Sequence, residues 1–141
     1  MNSDQVRLAL QGIASSDDFV ALSGDLTDRL STEPDAFSAV EPILRFMESH
    51  PELDYGMPGA LVHFVEGFFG HGYEQLLLES VRRKPTPHTV WMLNRVINGV
   101  KSPEGRRPFL AVLGQAAENT EADSETRRQA SHFLARQTAS S

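Results

Sequence analysis

Cysteine is absent from the 141 residues of this chain, and aromatic side chains with polar groups are few, with one tryptophan and two tyrosines. Without cysteine the protein can form no disulfide, no thiolate metal site and no thiol nucleophile. Long apolar runs are also missing, so we expect no membrane-spanning helix. The first residues, Met-Asn-Ser-Asp-Gln-Val-Arg, lack a basic leader followed by an apolar run and therefore indicate no signal peptide. These absences favour a cytoplasmic protein, and the length predicts a single domain over residues 1–141.

Positive charge is scarce in the first half of the sequence. Residues 1–70 contain twelve Asp and Glu against three Arg, a net charge of −9, whereas residues 71–141 contain seven acids against ten Lys and Arg, a net charge of +3. Such an acidic field attracts a basic protein and repels nucleic acid. The residues that we expect to steer a basic partner are Asp17, Asp18, Asp25 and Asp28. The alternative is a solvated helical face that keeps the protein soluble.

Apolar residues recur at three- and four-residue spacing along the whole chain, and strand patterns are nearly absent. The pattern predicts seven or eight helices over residues 4–14, 17–31, 34–49, 58–70, 73–83, 87–101, 102–119 and from 123 or 124 onward. Pro42 interrupts the third helix, where we expect a kink or a break. The glycines and the proline of residues 52–59 predict a long loop, and we expect residues 137–141 to fray.

The succession of short helices and short turns predicts an all-α fold. A loose period of roughly 30–40 residues per helix pair favours stacked helix hairpins, as in a HEAT-like α-solenoid. An irregular helical bundle is the alternative architecture, because prolines at helix starts fit either arrangement.

The helix predicted over residues 87–101 has a polar and aromatic face beside its apolar one. The apolar stripe consists of Val90, Leu93, Ile97 and Val100. The adjoining face carries Trp91, Asn94, Arg95 and Asn98. Because these residue types combine contact area with directed hydrogen bonds, the face indicates a surface for a protein partner. In the alternative, Trp91 belongs to the core and the other three side chains bridge the loops of neighbouring helices.

The sequence contains no convincing catalytic or metal-binding pattern. His63 and Glu66 share a helix face, but a metal site needs a further ligand from another helix, and no Glu-x-x-His occurs. We therefore expect His63 to be partly buried and hydrogen-bonded. A Gly-x-Ser-x-Gly elbow and the phosphate-binding fingerprints are missing too. We expect a protein that is not an enzyme and that binds no cofactor and no metal.

Basic residues cluster at three predicted turns, at 82–84, 106–107 and 127–128. In a stack of hairpins such turns can align into a positive stripe that follows phosphates. However, the chain is acidic overall, and no aromatic residues alternate with these arginines. Capping of a helix C-terminus explains residues 82–84 more simply. Nucleic-acid binding is therefore the third hypothesis for this chain.

Residues 53–113 resemble small helical immunity proteins of bacterial polymorphic-toxin systems. The residues that carry the resemblance are Asp-Tyr-Gly-Met-Pro-Gly at 54–59, Leu-Val-His-Phe-Val-Glu at 61–66, Leu-Leu-Leu-Glu-Ser-Val at 76–81 and Pro-Thr-Pro-His-Thr-Val-Trp-Met-Leu-Asn-Arg at 85–95. The resemblance covers under half of the chain. It implies a cytoplasmic antidote that binds and blocks one toxin domain without catalysis.

Three hypotheses follow, in order. The first is an immunity protein that occludes a basic toxin domain, the second a helical-repeat scaffold or adaptor that binds another protein, and the third a nucleic-acid-binding HEAT-like protein. Besides the four aspartates, the expected contact residues are Asp54, Tyr55, His63, Trp91, Asn94, Arg95 and Asn98. The oligomeric state is left open.

Overall fold

The computed structural model describes residues 1–56 and 58–139, and 72% of these are helical. The α-helices are α1 Ser3–Ile13, α2 Phe19–Leu30, α3 Val40–Ser49, α4 Ala60–Glu66, α5 Tyr73–Arg83, α6 Pro87–Gly99, α7 Pro103–Glu118 and α8 Ser124–Ala139, and a 3₁₀ turn spans Ala36–Ala39. No strand occurs among these residues. The prediction of an all-α fold with seven or eight helices is confirmed.

The chain packs as two compact units, Met1–Tyr73 and Glu74–Ser141, here called the N-terminal and the C-terminal unit. In the N-terminal unit, α1 contacts α2 and α3, and α4 also contacts α2 and α3. The apolar stripes of these helices form its core, which includes the fully buried Val6, Leu10, Ile43, Leu44, Met47, Leu61, Val62 and Val65. The prediction of one domain over the whole chain stays a prediction.

Proline determines where the third predicted helix begins. The predicted break occurs a little before Pro42, where the 3₁₀ turn ends at Ala39 and α3 begins at Val40. Pro42 is therefore the third residue of α3. The missing N–H of a proline costs little there, because N–H groups in the first helical turn have no partner within the helix.

Helix α4 is shorter than predicted, since it covers Ala60–Glu66 instead of residues 58–70. Gly59 precedes it with a φ of 87°, and Gly67 ends it by donating its N–H to the carbonyl groups of the last turn. Gly70 and Gly72 both have positive φ, which only glycine adopts readily. The backbone therefore turns after Glu66, and Phe68 and Phe69 lie in the turn instead of on a central helix.

In the C-terminal unit, α7 packs along α8, and α6 contacts both helices. Two glutamines show that α6 and α8 run in the same direction. Near the start of both helices, Gln129 donates to the carbonyl of Pro87 at 3.0 Å. Near the end of both, Gln137 donates to Asn94 and Asn98.

Side chains cap the starts of α6 and α7. Thr86 and Thr89 form a capping box at the start of α6, and the Ser102 hydroxyl accepts from Gly105 N–H at 2.9 Å at the start of α7. Helix α8 continues through Ala139, and Gln137 is hydrogen-bonded. The fraying of residues 137–141 stays a prediction. Residues 140–141 lie outside the described residues.

None of the helices in the described part of the chain combines the length and the apolar character that a bilayer crossing requires. The stacking of hairpins into a HEAT-like α-solenoid stays a prediction.

Candidate binding surfaces

The acidic surface of the N-terminal unit is carried by α2 and the turn before it. Helix α2 buries Phe19, Leu26 and Leu30, and Asp25 and Asp28 project from its opposite side. Asp17 and Asp18 are exposed as well. None of these four carboxylates forms an ion pair with a described residue. The positive charges of this unit are partly occupied elsewhere, because Arg7 pairs with Asp4 at 2.7 Å and Arg45 with Glu41 at 3.6 Å.

Tyr55 lies in the core of the N-terminal unit and not on its surface, which corrects the prediction that it contacts a partner. Only 2% of the residue is exposed, and its ring packs edge-to-face against Phe19 at 5.7 Å between centroids. Its hydroxyl donates to the His50 carbonyl at 2.7 Å. Burial, and to a smaller extent the nearby Glu52, raise the pKa of Tyr55. The phenol therefore stays protonated and anchors the loop before α4 to the end of α3.

Asp54 remains at the surface, next to the buried tyrosine. Its Oδ1 accepts from the Gly56 N–H at 2.9 Å, an Asx turn that fixes the carboxylate at the edge of the loop. Of the acidic or aromatic contact residues predicted in this loop, Asp54 is thus the one that a partner can reach. Met57 lies outside the described residues.

His63 is exposed, whereas the sequence predicted a partly buried, hydrogen-bonded side chain. The reason is the orientation of α4, which turns Leu61, Val62 and Val65 inward and places His63 on the outer side. Within the described ranges, no three His, Asp or Glu side chains come together closely enough to hold a metal ion. His63 is therefore available as a surface residue on the helix that follows the loop.

Trp91 is half-buried, so it is neither a core residue nor a fully presented one. The Arg95 guanidinium lies over its indole ring, 5.0 Å from the centroid, and the His88 ring meets it edge-on at 5.3 Å. Stacking of this kind holds the guanidinium in place by a cation–π interaction. The pair presents a charged, planar surface whose geometry is fixed by the helix.

Asn94 and Asn98 are held by α8. The Gln137 side-chain amide donates to the Oδ1 atoms of both asparagines, each at 2.8 Å. The predicted face of α6 is thus divided: Trp91 and Arg95 stack on each other, while the two asparagines bridge to a neighbouring helix. The alternative interpretation predicted bridges to the loops of neighbouring helices, whereas these two asparagines bridge to helix α8.

A groove of about 430 Å³ lies beside this bridge. It is lined by Asn94, Asn98, Phe133, Arg136 and Gln137. Sequence reasoning missed the three α8 residues, because nothing local distinguishes them from other residues of an exposed helix end. Only the parallel packing of α6 and α8 brings them together.

A second surface that the sequence did not predict is an aromatic patch on the N-terminal unit. It consists of the contacting rings of Phe37, Phe64 and Phe68, together with Phe69, the next residue in the chain. The helix predicted over residues 58–70 would include the last three of these. Instead, Phe69 is 41% exposed and Phe37 is 38% exposed, and the other two are half-buried. The early end of α4 explains the difference, since it puts Phe68 and Phe69 in a surface turn.

Two arginines of the basic clusters make contacts within the protein. Arg106 Nε donates to the Val100 carbonyl at 2.6 Å and so occupies a carbonyl just after the end of α6. Arg128 forms an ion pair with Glu125 one turn earlier on α8. These contacts occupy guanidinium donors in two of the three basic clusters. Residues 106–107 and 127–128 lie within α7 and α8, and not at turns as the sequence predicted.

Comparison of the chain with protein-family models, with curated proteins and with solved structures finds no match. We therefore infer its function from the surfaces that carry charge and aromatic groups.

Proposed function

We propose that this chain is a cytoplasmic immunity protein that binds a basic toxin domain and occludes its working surface, without catalysis. The observation that carries the proposal is the set of exposed carboxylates at and before α2, which make no ion pair with a described residue, on a unit of net charge −9. The resemblance of residues 53–113 to helical immunity proteins supplies the class of partner.

The charge argument supports fast and selective encounter with a basic protein. Opposite net charges raise the association rate by steering, and they repel acidic competitors. Exposed carboxylates that pair with no described residue are suited to this task, because no such ion pair has to break when the partner arrives. Asp54 and His63 extend the same unit's polar surface toward the loop and the outer side of α4.

A scaffold or adaptor that binds another protein is the second candidate. The groove between α6 and α8 favours it, because amide side chains and the Phe133 ring offer both hydrogen bonds and apolar contact to a peptide. In that case the ligand would be a segment of a protein partner and not a toxin domain. Nucleic-acid binding has less support, since two of the three basic clusters use arginines for internal contacts.

The deciding experiment pairs this chain with the protein that the neighbouring gene encodes, tested as the toxin domain. Co-expression should restore the growth of bacteria that the toxin domain alone arrests. Purified proteins should bind with a Kd in the nanomolar range or below. Stopped-flow association should slow as salt rises from 0.01 to 0.1 M, because the Debye length falls from ~30 to ~10 Å.

A charge-reversal variant tests which carboxylates act. Changing Asp17, Asp18, Asp25 and Asp28 to Lys should lower the association rate constant about tenfold or more and change dissociation little, since peripheral charges act mainly on encounter. The matched control reverses four exposed acids of the C-terminal unit, Glu79, Glu104, Glu118 and Glu121, which changes the total charge equally. The control should associate at nearly the wild-type rate.

Folding effects should not obscure this comparison. Lysines just before α2 oppose the helix dipole, whereas a lysine at position 28, in its last turn, interacts favourably with it, so the stability changes partly cancel. The proposal fails if growth is not restored, or if both four-residue variants slow association equally.

A further inference from the structure

The aromatic patch is an unusual surface for an acidic unit. The large hydrophobic residues that are clearly exposed in the described chain are Leu8, Val20, Phe37 and Phe69, and the two phenylalanines belong to this patch. The half-buried Phe68 contacts Phe37, the half-buried Phe64 contacts Phe68, and Phe69 follows Phe68 in the chain. Exposed groups of large apolar side chains commonly mark interaction sites.

The rings of the patch are arranged by direct contacts. Phe68 packs edge-to-face with Phe37 at 5.3 Å and with Phe64 at 5.5 Å between centroids. Gly72 allows the Phe37 ring to approach the backbone, because a Cβ at that position would lie 3.0 Å from the ring's Cζ atom. Phe68 is thus held between two rings, and Phe37 is held between Phe68 and the glycine turn.

The charge of the N-terminal unit indicates which kind of side chain the aromatic patch would bind. The unit that carries it has a net charge of −9, and the exposed Asp35 is two residues from Phe37. Aromatic faces carry negative electrostatic potential and attract cations, arginine more often than lysine. An arginine side chain also offers a planar apolar face for ring contact, which the smaller and more strongly hydrated ammonium of lysine lacks.

We propose that the aromatic patch binds an arginine side chain of the basic partner by cation–π stacking, while the carboxylates of the same unit attract the partner. This inference rests on the proposed function and names the anchor that the steering carboxylates alone do not supply. According to this proposal, the aspartates determine the association rate of the partner and the phenylalanines determine its dissociation rate.

Titration of the whole protein with a hexa-arginine peptide tests the patch directly. Aromatic proton NMR should show the ring resonances of Phe37 and Phe69 shifting on addition of the peptide. The rings of Phe19 and Phe46, which are buried in the same unit, serve as internal references and should not shift. If the patch rings stay unchanged while the peptide binds, the carboxylates alone bind it and the proposal is overturned.

Variants give a second, independent measurement. Replacing Phe37 and Phe69 by Leu keeps apolar volume but removes the ring quadrupole, and should weaken hexa-arginine binding roughly fivefold or more. Replacing Leu8 and Val20 by Ala is the matched control, because it truncates exposed apolar residues of the same unit. The control should bind within twofold of the wild type, and equal affinity of both variants would overturn the proposal.

Binding measurements with the toxin domain distinguish the patch proposal from the proposed function. If it binds the wild type and the Phe37→Leu/Phe69→Leu variant with the same dissociation rate, the patch proposal falls and the immunity proposal stands. If it does not bind the wild type at all, the immunity proposal falls, and the patch falls with it unless hexa-arginine shifts the rings.

Discussion

Among individual residues, glycine shapes the loop that precedes α4. Gly56 and Gly59 have φ values of 98° and 87°, and a Cβ on Gly59 would lie 1.6 Å from the Tyr55 carbonyl oxygen. The backbone can make this close approach only where a side chain is missing. The sequence predicted the loop from its glycines and proline, but which glycine is irreplaceable depends on where Tyr55 is buried.

Two glycine substitutions should therefore change stability in opposite directions. Gly59→Ala should lower the free energy of unfolding by roughly 2–4 kcal/mol, because of the backbone collision and the positive φ. Gly24→Ala should raise it by about 0.5–1 kcal/mol, because Gly24 lies inside α2 and an alanine Cβ there would meet no neighbouring atom within 4 Å. Urea unfolding of both variants measures the difference. Equal stability of Gly59→Ala and wild type would contradict this account of the loop.

Among the helices, the parallel pair α6 and α8 is joined at both ends by glutamine side chains. Gln129 binds the first turn of α6, and Gln137 binds Asn94 and Asn98 near its end. The second bridge involves the first of the residues, 137–141, that the sequence predicted to fray because they end the chain. A polar side chain that reaches an adjacent helix stabilises the last turn.

Removing the bridge should loosen the end of α8. Gln137→Ala should lower the free energy of unfolding by about 1 kcal/mol, since two hydrogen bonds of partly exposed groups are lost. Backbone amides in the last turn of α8 should also exchange faster with deuterium. Ser131→Ala, at an exposed position on the same helix, is the control and should be neutral or slightly stabilising. Unchanged exchange in Gln137→Ala would show that the bridge does not hold this turn.

Across the full chain, the dominant feature is the unequal charge of the two units. Acids outnumber arginines twelve to three in the N-terminal unit, which gives a net charge of −9, and the C-terminal unit has a net charge of +3. Self-repulsion in the acidic unit opposes its folding, and salt screens it. The charge that we propose for steering a partner therefore has a cost in stability at low salt.

Salt should accordingly stabilise the protein. Raising NaCl from 0.01 to 0.15 M should increase Tm by roughly 3 °C, about 1 kcal/mol for a chain of this size. Changing the four steering aspartates to Lys reduces the net charge of the N-terminal unit from −9 to −1. This variant should lose most of the increase in Tm with salt. The control reversal of Glu79, Glu104, Glu118 and Glu121 makes the C-terminal unit more positive and should retain it. A Tm that is independent of salt in the wild type would exclude significant self-repulsion.

Features that depend on neighbours a few residues apart could be predicted from the amino-acid order alone. Helical spacing, the caps at Thr86 and Ser102 and the break near Pro42 are local, so the all-α fold and most helix boundaries follow from them. The charge of each half follows from counting and needs no structure. Helix α4 was the exception, because the glycines after Glu66 ended it sooner than its apolar pattern indicated.

Which side chains form a surface depends instead on how the helices pack. Tyr55 is buried and His63 is exposed, whereas the sequence predicted an accessible tyrosine and a partly buried histidine. His63 is exposed because the packing of α4 sets which of its sides faces the core. Asn94 and Gln137 are 43 positions apart in the chain and meet only through the parallel packing of α6 and α8. Phe37 and Phe68 likewise meet across 31 positions. Hydrophobic periodicity within each helix does not specify contacts of this kind, because it indicates that a face is buried but not which other helix covers it.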